Sequence, residues 1–323
     1  MTFIASVIAK EGVAIIADSL VTTSKPTLDF QTFQDYLSKV SKENEKEIVL
    51  NTKEIAKLFK VKPSHTKDYE DKLYKYDKFT AITTAGSSSI NNKRIKRLIS
   101  DAIKTLKPNG RNSAKEIIDK VDKLKEFIIR EVKKFLEKNP RISETIFLTT
   151  FYSPTSGKTV IYKLTVNKAV QEDLTDLDFE YVSIVQQPDQ IRVVCDGQNR
   201  LAERLLFGDL SGLFEIIPRI VEKIAKDFNL PAEKVGEDYL IEVISDKSII
   251  DDQMMQDMKI YRLTELSLQQ AVDLATLLMR IEIDIQKYTE NIPTVGGVIK
   301  LAVIDNDGFR FISGNEIVKH ETF

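Results

Sequence analysis

The sequence predicts a mixed α+β fold, with mainly antiparallel sheets and helices packed outside them. Two observations carry that expectation. Short apolar runs bounded by turn residues open the chain, recur in its middle and close it. Between these groups the apolar residues switch to helical spacing, twice, each time as a pair of helices. Strands grouped with strands and helices with helices argue against an alternating βαβ fold.

Taken in order, residues 3–10 and 13–17 are apolar runs joined at Glu11-Gly12, a tight hairpin of buried strands. Residues 24–71 become charged and lysine-rich, with a helix start at Asn51 and Glu54 and an apolar face of Ile55, Leu58 and Phe59. Residues 72–85 are strand-like and end at Ala85-Gly86. Ile95, Leu98, Ile99, Ala102, Ile103 and Leu106 then recur at helical spacing behind serines suited to capping. Ile117, Val121, Leu124, Ile128, Val132 and Phe135 repeat the pattern after the break at Pro108-Asn109-Gly110.

Ile146–Tyr152 and Thr159–Val166 flank Ser153-Pro154-Thr155-Ser156-Gly157 as a hairpin, and Tyr181–Val185 and Ile191–Cys195 read as strands before Asp196-Gly197. A helix covers about 198–207, residues 208–262 show no clean period, and a helix over 265–289 carries Leu268, Val272, Ala275 and Leu278. Val298–Ile304 and Phe309–Ile312 close the chain around Asp305-Asn306-Asp307-Gly308. That segment resembles the opening of a calcium loop but lacks its later ligands, so it reads as a hairpin turn.

Composition removes several function classes. With 42% hydrophobic and 30% charged residues the chain can bury a core. Its 47 basic and 49 acidic residues nearly cancel, so no field draws it to nucleic acid or an anionic membrane. One cysteine, Cys195, rules out an internal disulfide framework, fits a reducing compartment and reads as a core residue. No apolar run spans a bilayer and no secretory signal opens the chain, so a cytoplasmic location is expected. The only histidines, His65 and His320, lie apart in charged or terminal surroundings. A histidine-based triad or zinc site is therefore not expected, and an enzyme of this sequence would draw its base from an amine or a carboxylate.

The start supplies such an amine. Thr2, once Met1 is removed, carries a hydroxyl nucleophile and an α-amine of pKa ~7.7–8.0 on one residue. Asp18 closes the buried strand 13–17, where a carboxylate needs a partner. A two-residue turn at Glu11-Gly12 leaves Asp18 roughly 10 Å short of Thr2, at ~3.4 Å per residue, a gap for a long cation to bridge.

Residues 2–22, Thr-Phe-Ile-Ala-Ser-Val-Ile-Ala-Lys-Glu-Gly-Val-Ala-Ile-Ile-Ala-Asp-Ser-Leu-Val-Thr, resemble the opening of proteasome β subunits and their bacterial relatives, a family of N-terminal-nucleophile (Ntn) hydrolases. Residues 72–86, Lys-Leu-Tyr-Lys-Tyr-Asp-Lys-Phe-Thr-Ala-Ile-Thr-Thr-Ala-Gly, match without a gap the family segment from its catalytic lysine to an Ala-Gly. The resemblance implies a four-layer αββα sandwich of two antiparallel sheets, one domain over 2–323 with insertions at 24–71 and 208–262. It implies a threonine-type peptidase with Thr2 as nucleophile, Asp18 and Lys72 tuning it, and the Gly86 N–H as oxyanion donor. Thr22 takes the place of a threonine whose backbone binds the substrate strand, and Thr84 lines the specificity pocket. No cofactor or metal is called for. The partners implied are peptide or protein substrates and further copies of the chain in a ring or spiral, with an unfoldase left open and neither nucleic acid nor membrane.

Ordinary alternatives stand beside these roles: a strand-end turn residue for Asp18, a solvated lysine for Lys72, a tight turn for Gly86. Lys57, in Lys57-Leu58-Phe59, is a rival for the lysine and ranks lower because it falls inside a helix. The sequence departs from the family at Gln198, where a serine follows the glycine. It departs again before Gly296-Gly297, where Glu290, Asn291 or Thr294 would replace an aspartate. Two other readings remain: an Ntn amidase for small molecules, and a non-catalytic ring or scaffold subunit.

Overall fold

A computed structural model of the chain describes residues 2–43, 51–67, 70–91, 93–139, 142–167, 180–184, 192–207, 210–228, 263–288 and 292–313. The chain runs through β1 (Phe3–Ile8), β2 (Gly12–Ala17), β3 (Val21–Thr27), α1 (Phe30–Glu43), α2 (Thr52–Leu58) and β4 (Lys60–Lys67). It continues through β5 (Leu73–Asp77), β6 (Thr80–Gly86), the short β7 (Ser89–Ile90) and β8 (Lys93–Arg94), α3 (Ile95–Leu106) and α4 (Ala114–Leu136). Then come β9 (Thr145–Ser153), β10 (Lys158–Val166), β11 (Glu180–Ile184), β12 (Val193–Gly197), α5 (Arg200–Phe207) and α6 (Leu210–Asp227). Finally α7 (Leu268–Ile285) ends in a 3-10 turn at Gln286–Tyr288 and is followed by β13 (Lys300–Asp305) and β14 (Gly308–Ser313).

Two main antiparallel sheets result, ordered β12-β1-β2-β13-β14 and β11-β10-β9-β6-β5. Their apolar residues sort into three clusters. Ile4, Ile15, Ala81 and Leu148 belong to a cluster drawn from both sheets. Phe147 and Ile82 of the second sheet pack with Leu98 of α3 and Leu124 of α4. Phe3 and Ile16 of the first sheet pack with Leu206 of α5 and Leu278 of α7. Both faces of β1 and β2 are therefore buried, which explains their unbroken apolar runs. Each large apolar side chain so buried contributes about 1.5–3 kcal/mol. Among the described residues no helix is long and apolar enough to cross a membrane.

The opening hairpin differs from expectation by one residue in its turn. Ile8 pairs with Val13, and Ala9 N donates to Gly12 O at 2.8 Å, so the loop is Lys10-Glu11. Gly12 serves the neighbouring strand: a Cβ there would lie 2.3 Å from the Ile304 carbonyl on β13. Moving the turn by one residue shifts the register by two, which brings Asp18 opposite Phe3. The expected gap of roughly 10 Å to Thr2 shrinks to a one-residue offset.

Other elements differ as well. Residues 72–85 contain a β5–β6 hairpin turning at Lys78-Phe79. Serine capping of α3 does not occur: its N-cap is Arg94, without a side-chain cap, after the β7–β8 hairpin. Within 208–262, residues 210–227 form α6, with Pro218 inside it and Ile216, Ile220 and Ile224 exposed. Val185, Ile191 and His320 lie outside the described residues, as does 229–262. Between β2 and β5, β3 and β4 pair into a separate two-stranded ribbon that brackets α1 and α2.

Candidate active site

Thr2 heads β1 and Asp18 follows β2, so hairpin register alone makes them neighbours. Phe3 N donates to Asp18 Oδ1 at 3.2 Å, and Asp18 N donates back to Phe3 O at 3.2 Å. The other Asp18 oxygen accepts from Leu20 N at 3.2 Å and Gly296 N at 3.1 Å. Lys72 enters from the second sheet, where its carbonyl accepts from Thr84 N at 3.0 Å. Its Nζ donates to Asp18 Oδ1 at 2.8 Å and to Leu20 O at 2.6 Å. This ion pair is 7% exposed on the lysine and 1% on the aspartate.

Burial governs the electrostatics. It pushes the Asp18 carboxyl above its usual range, and the Lys72 charge and the donors around it offset part of that rise. Burial likewise pulls the Lys72 ammonium below the usual lysine range, partly offset by Asp18. Of the three N–H groups of Lys72, two are taken by Asp18 and Leu20, and the third has no partner among the described residues.

A cleft open to solvent is lined by Thr2, Thr22, Lys72, Thr84 and Gly86 among others. Sequence residues from four separate stretches thus meet in one place. Thr2 is 2% exposed, and its carbonyl accepts from Gln198 N at 2.6 Å. Gly86 is glycine for two reasons: its φ is +95°, and a Cβ would fall 2.1 Å from the Glu144 carbonyl. Its N–H direction follows from strand parity. Phe79 and Ser87 bond towards β9, to Tyr152 N and Glu144 O, whereas Thr84 N bonds to Lys72 O on the other side. Gly86 shares the parity of Thr84, so its N–H lies on the Lys72 side, where the cleft opens.

Thr22 sits on β3, in register with Thr66 of β4, and its hydroxyl donates to Pro293 O at 3.0 Å. Lys57 lies exposed in the last turn of α2 and is absent from the cleft lining. Gln198 Oε1 accepts from the Thr294 hydroxyl, which joins two of the positions where the sequence departs from the family. Glu290 and Asn291 lie outside the described residues. Burial pushes the Cys195 thiol up to about 12, which makes it a poor nucleophile.

Three contributors escape a reading of the sequence. The Leu20 carbonyl holds Lys72, and the Gly296 N–H holds Asp18. Gln286 Oε1 accepts from Thr294 N at 2.5 Å and Val295 N at 3.2 Å, fixing the loop that carries Gly296. The Gly296-Gly297 pair was the one visible signal, since main-chain groups and a lone glutamine leave none. No family model matches the chain, and no curated protein matches it either.

Proposed function

We propose that the protein is a threonine-type amide hydrolase acting on peptides, with Thr2 as nucleophile once Met1 has been removed. The observation that carries this reading is the meeting of Thr2, the buried Lys72–Asp18 pair and Gly86 along one cleft. Two antiparallel sheets with apolar clusters between and outside them support the architecture the resemblance implies, a four-layer αββα sandwich.

In the proposed reaction the freed α-amine takes the Thr2 hydroxyl proton as the oxygen adds to the substrate carbonyl carbon. The carbonyl electrons move to its oxygen, which the Gly86 N–H stabilises. Collapse of this intermediate breaks the C–N bond, and the ammonium returns the proton to the departing amine. The acyl group is left as an ester on Thr2 Oγ1. Water then attacks the ester and gives its proton to the amine, and the ammonium returns that proton to the departing Thr2 oxygen as the acid is released. Lys72, holding one N–H towards the cleft and itself held by Asp18, lowers the pKa of the hydroxyl and the amine. The scheme calls on no cofactor. The same reading extends to a homo-oligomer in which one of the insertions, 24–71 or 208–262, restricts entry to short or unfolded peptides.

Intact mass and turnover test it together. Native protein is expected to lack Met1, Thr2→Ala to abolish hydrolysis of a panel of fluorogenic peptides, and Thr2→Ser to keep part of it. Hydrolysis that survives Thr2→Ala removes the reading.

A further inference from the structure

The cleft lining carries three charged side chains, and their partners differ. The Lys72 ammonium is committed to Asp18. Asp71 is held by Lys96 at 2.6 Å and by Lys300, so its carboxylate is neutralised at contact distance. Glu70 is the exception. Its side chain is only 14% exposed, yet its ion-pair partner among the described residues is Arg94 at 3.5 Å. Charge-assisted hydrogen bonds close to about 2.7–2.9 Å, so this contact is a loose one. The Arg94 side chain is 65% exposed. A carboxylate withdrawn from water and not closely paired is unfavourable unless a cation comes to it.

From this geometry we infer that Glu70 selects peptides with a cationic side chain, arginine or lysine, next to the attacked carbonyl. The inference rests on the peptidase reading above and names the substrate class of that same cleft. An incoming guanidinium displaces Arg94 from Glu70 and closes the contact to charge-assisted distance. The exchange loses little, because the Arg94 contact at 3.5 Å is longer than a closed charge-assisted pair. Asp71 does not compete for the substrate, since Lys96 and Lys300 already saturate it. A peptide with glutamate at that position meets Glu70 as a like charge and is rejected.

The test compares fluorogenic peptides with Arg, norleucine or Glu before the scissile bond, in the native protein and in Glu70→Gln. The native protein is expected to prefer Arg over norleucine by about tenfold or more in kcat/KM, as one desolvated charge pair provides. Glu70→Gln should remove that preference while the norleucine peptide is cleaved within about threefold of native. Arg94→Ala should sharpen the preference by removing the competitor. A Thr2-dependent hydrolysis whose Arg-to-norleucine ratio is unmoved by Glu70→Gln overturns the inference and leaves the peptidase reading in place. Absence of any Thr2-dependent hydrolysis removes the peptidase reading instead. Anisotropy of labelled Arg and norleucine peptides on Thr2→Ala protein then decides the inference alone: tighter binding of the Arg peptide that Glu70→Gln abolishes sustains it, and equal binding overturns it.

Discussion

Strand β5 carries a buried lysine–aspartate pair at each end, and the two differ in one respect. At its end, Asp77 meets Lys120 of α4 at 2.6 Å, with the residues 7% and 5% exposed. Lys120 also donates to Arg111 O and Asn112 Oδ1, both at 2.7 Å, so all three of its N–H groups are placed. Asn112 in turn donates to Phe79 O and Tyr152 O, which ties the α3–α4 connection to the β5–β6 turn. At its start, Lys72 meets Asp18 in similar burial but places only two N–H groups on partners among the described residues. A saturated buried lysine is a clamp. One with a donor left over beside a cleft that holds Thr2 is, on the proposed function, the group that acts on the reaction.

Turnover should separate the pairs most widely. Lys72→Ala is expected to lower kcat by about 10²–10⁴ while the protein stays folded, because it removes the charge beside Thr2. Lys120→Ala should leave kcat per folded molecule within a few-fold, and Lys57→Ala, exposed on α2, should be silent. Steady-state kinetics on the three purified variants checks this, and the reverse order for Lys72 and Lys57 would mean that the functional lysine is misassigned.

Stability should invert the ranking. Lys120→Met leaves Asp77, Arg111 O and Asn112 Oδ1 without their shared donor, an expected loss of about 3–5 kcal/mol. Lys72→Met should cost less, since Asp18 keeps the N–H groups of Phe3, Leu20 and Gly296. Urea unfolding of both variants measures the difference, and equal losses would erase the distinction.

A smaller effect lies in pH. Burial disfavours charge, so Lys72 loses its proton below the usual 10.5 and Asp18 gains one above the usual 3.8. Activity that needs the charged pair is present between those folded-state values and lost as pH rises through that of Lys72 or falls through that of Asp18. The alkaline limb of kcat/KM should therefore fall below pH 10.5. It should persist in Lys120→Ala and vanish from any residual activity of Lys72→Ala.

The two regions were unequally legible in the sequence. Asp18 and Gly86 stand out against their strands, a carboxylate ending an apolar run and a glycine closing another, whereas Thr2 and Lys72 could be named only because residues 2–22 and 72–86 resemble proteasome β-subunit segments. The Lys120–Asp77 clamp could not, because its members are 43 residues apart and Lys120 looks like any lysine on a charged helix. The helices α3, α4 and α7 were legible because one face of each is apolar at a clean period, and the hairpins because turn residues bound their apolar runs. The register of β1 on β2 was not, since Gly12 answers to β13 and so misleads as a turn marker. Helix α6 was missed although its apolar residues recur at helical spacing, with Pro218 as an internal breaker.

Covalent labelling tests the central claim most directly, that Lys72 activates Thr2 while Lys120 only holds the fold. Native protein, Lys72→Ala and Lys120→Ala would each be treated with a peptide β-lactone, digested and mapped by mass spectrometry. The account predicts one acyl adduct per chain on Thr2, at the N-terminus and without Met1, retained in Lys120→Ala and lost in Lys72→Ala. An adduct on another residue, or one on Thr2 that forms as fast in Lys72→Ala as in native protein, would contradict it.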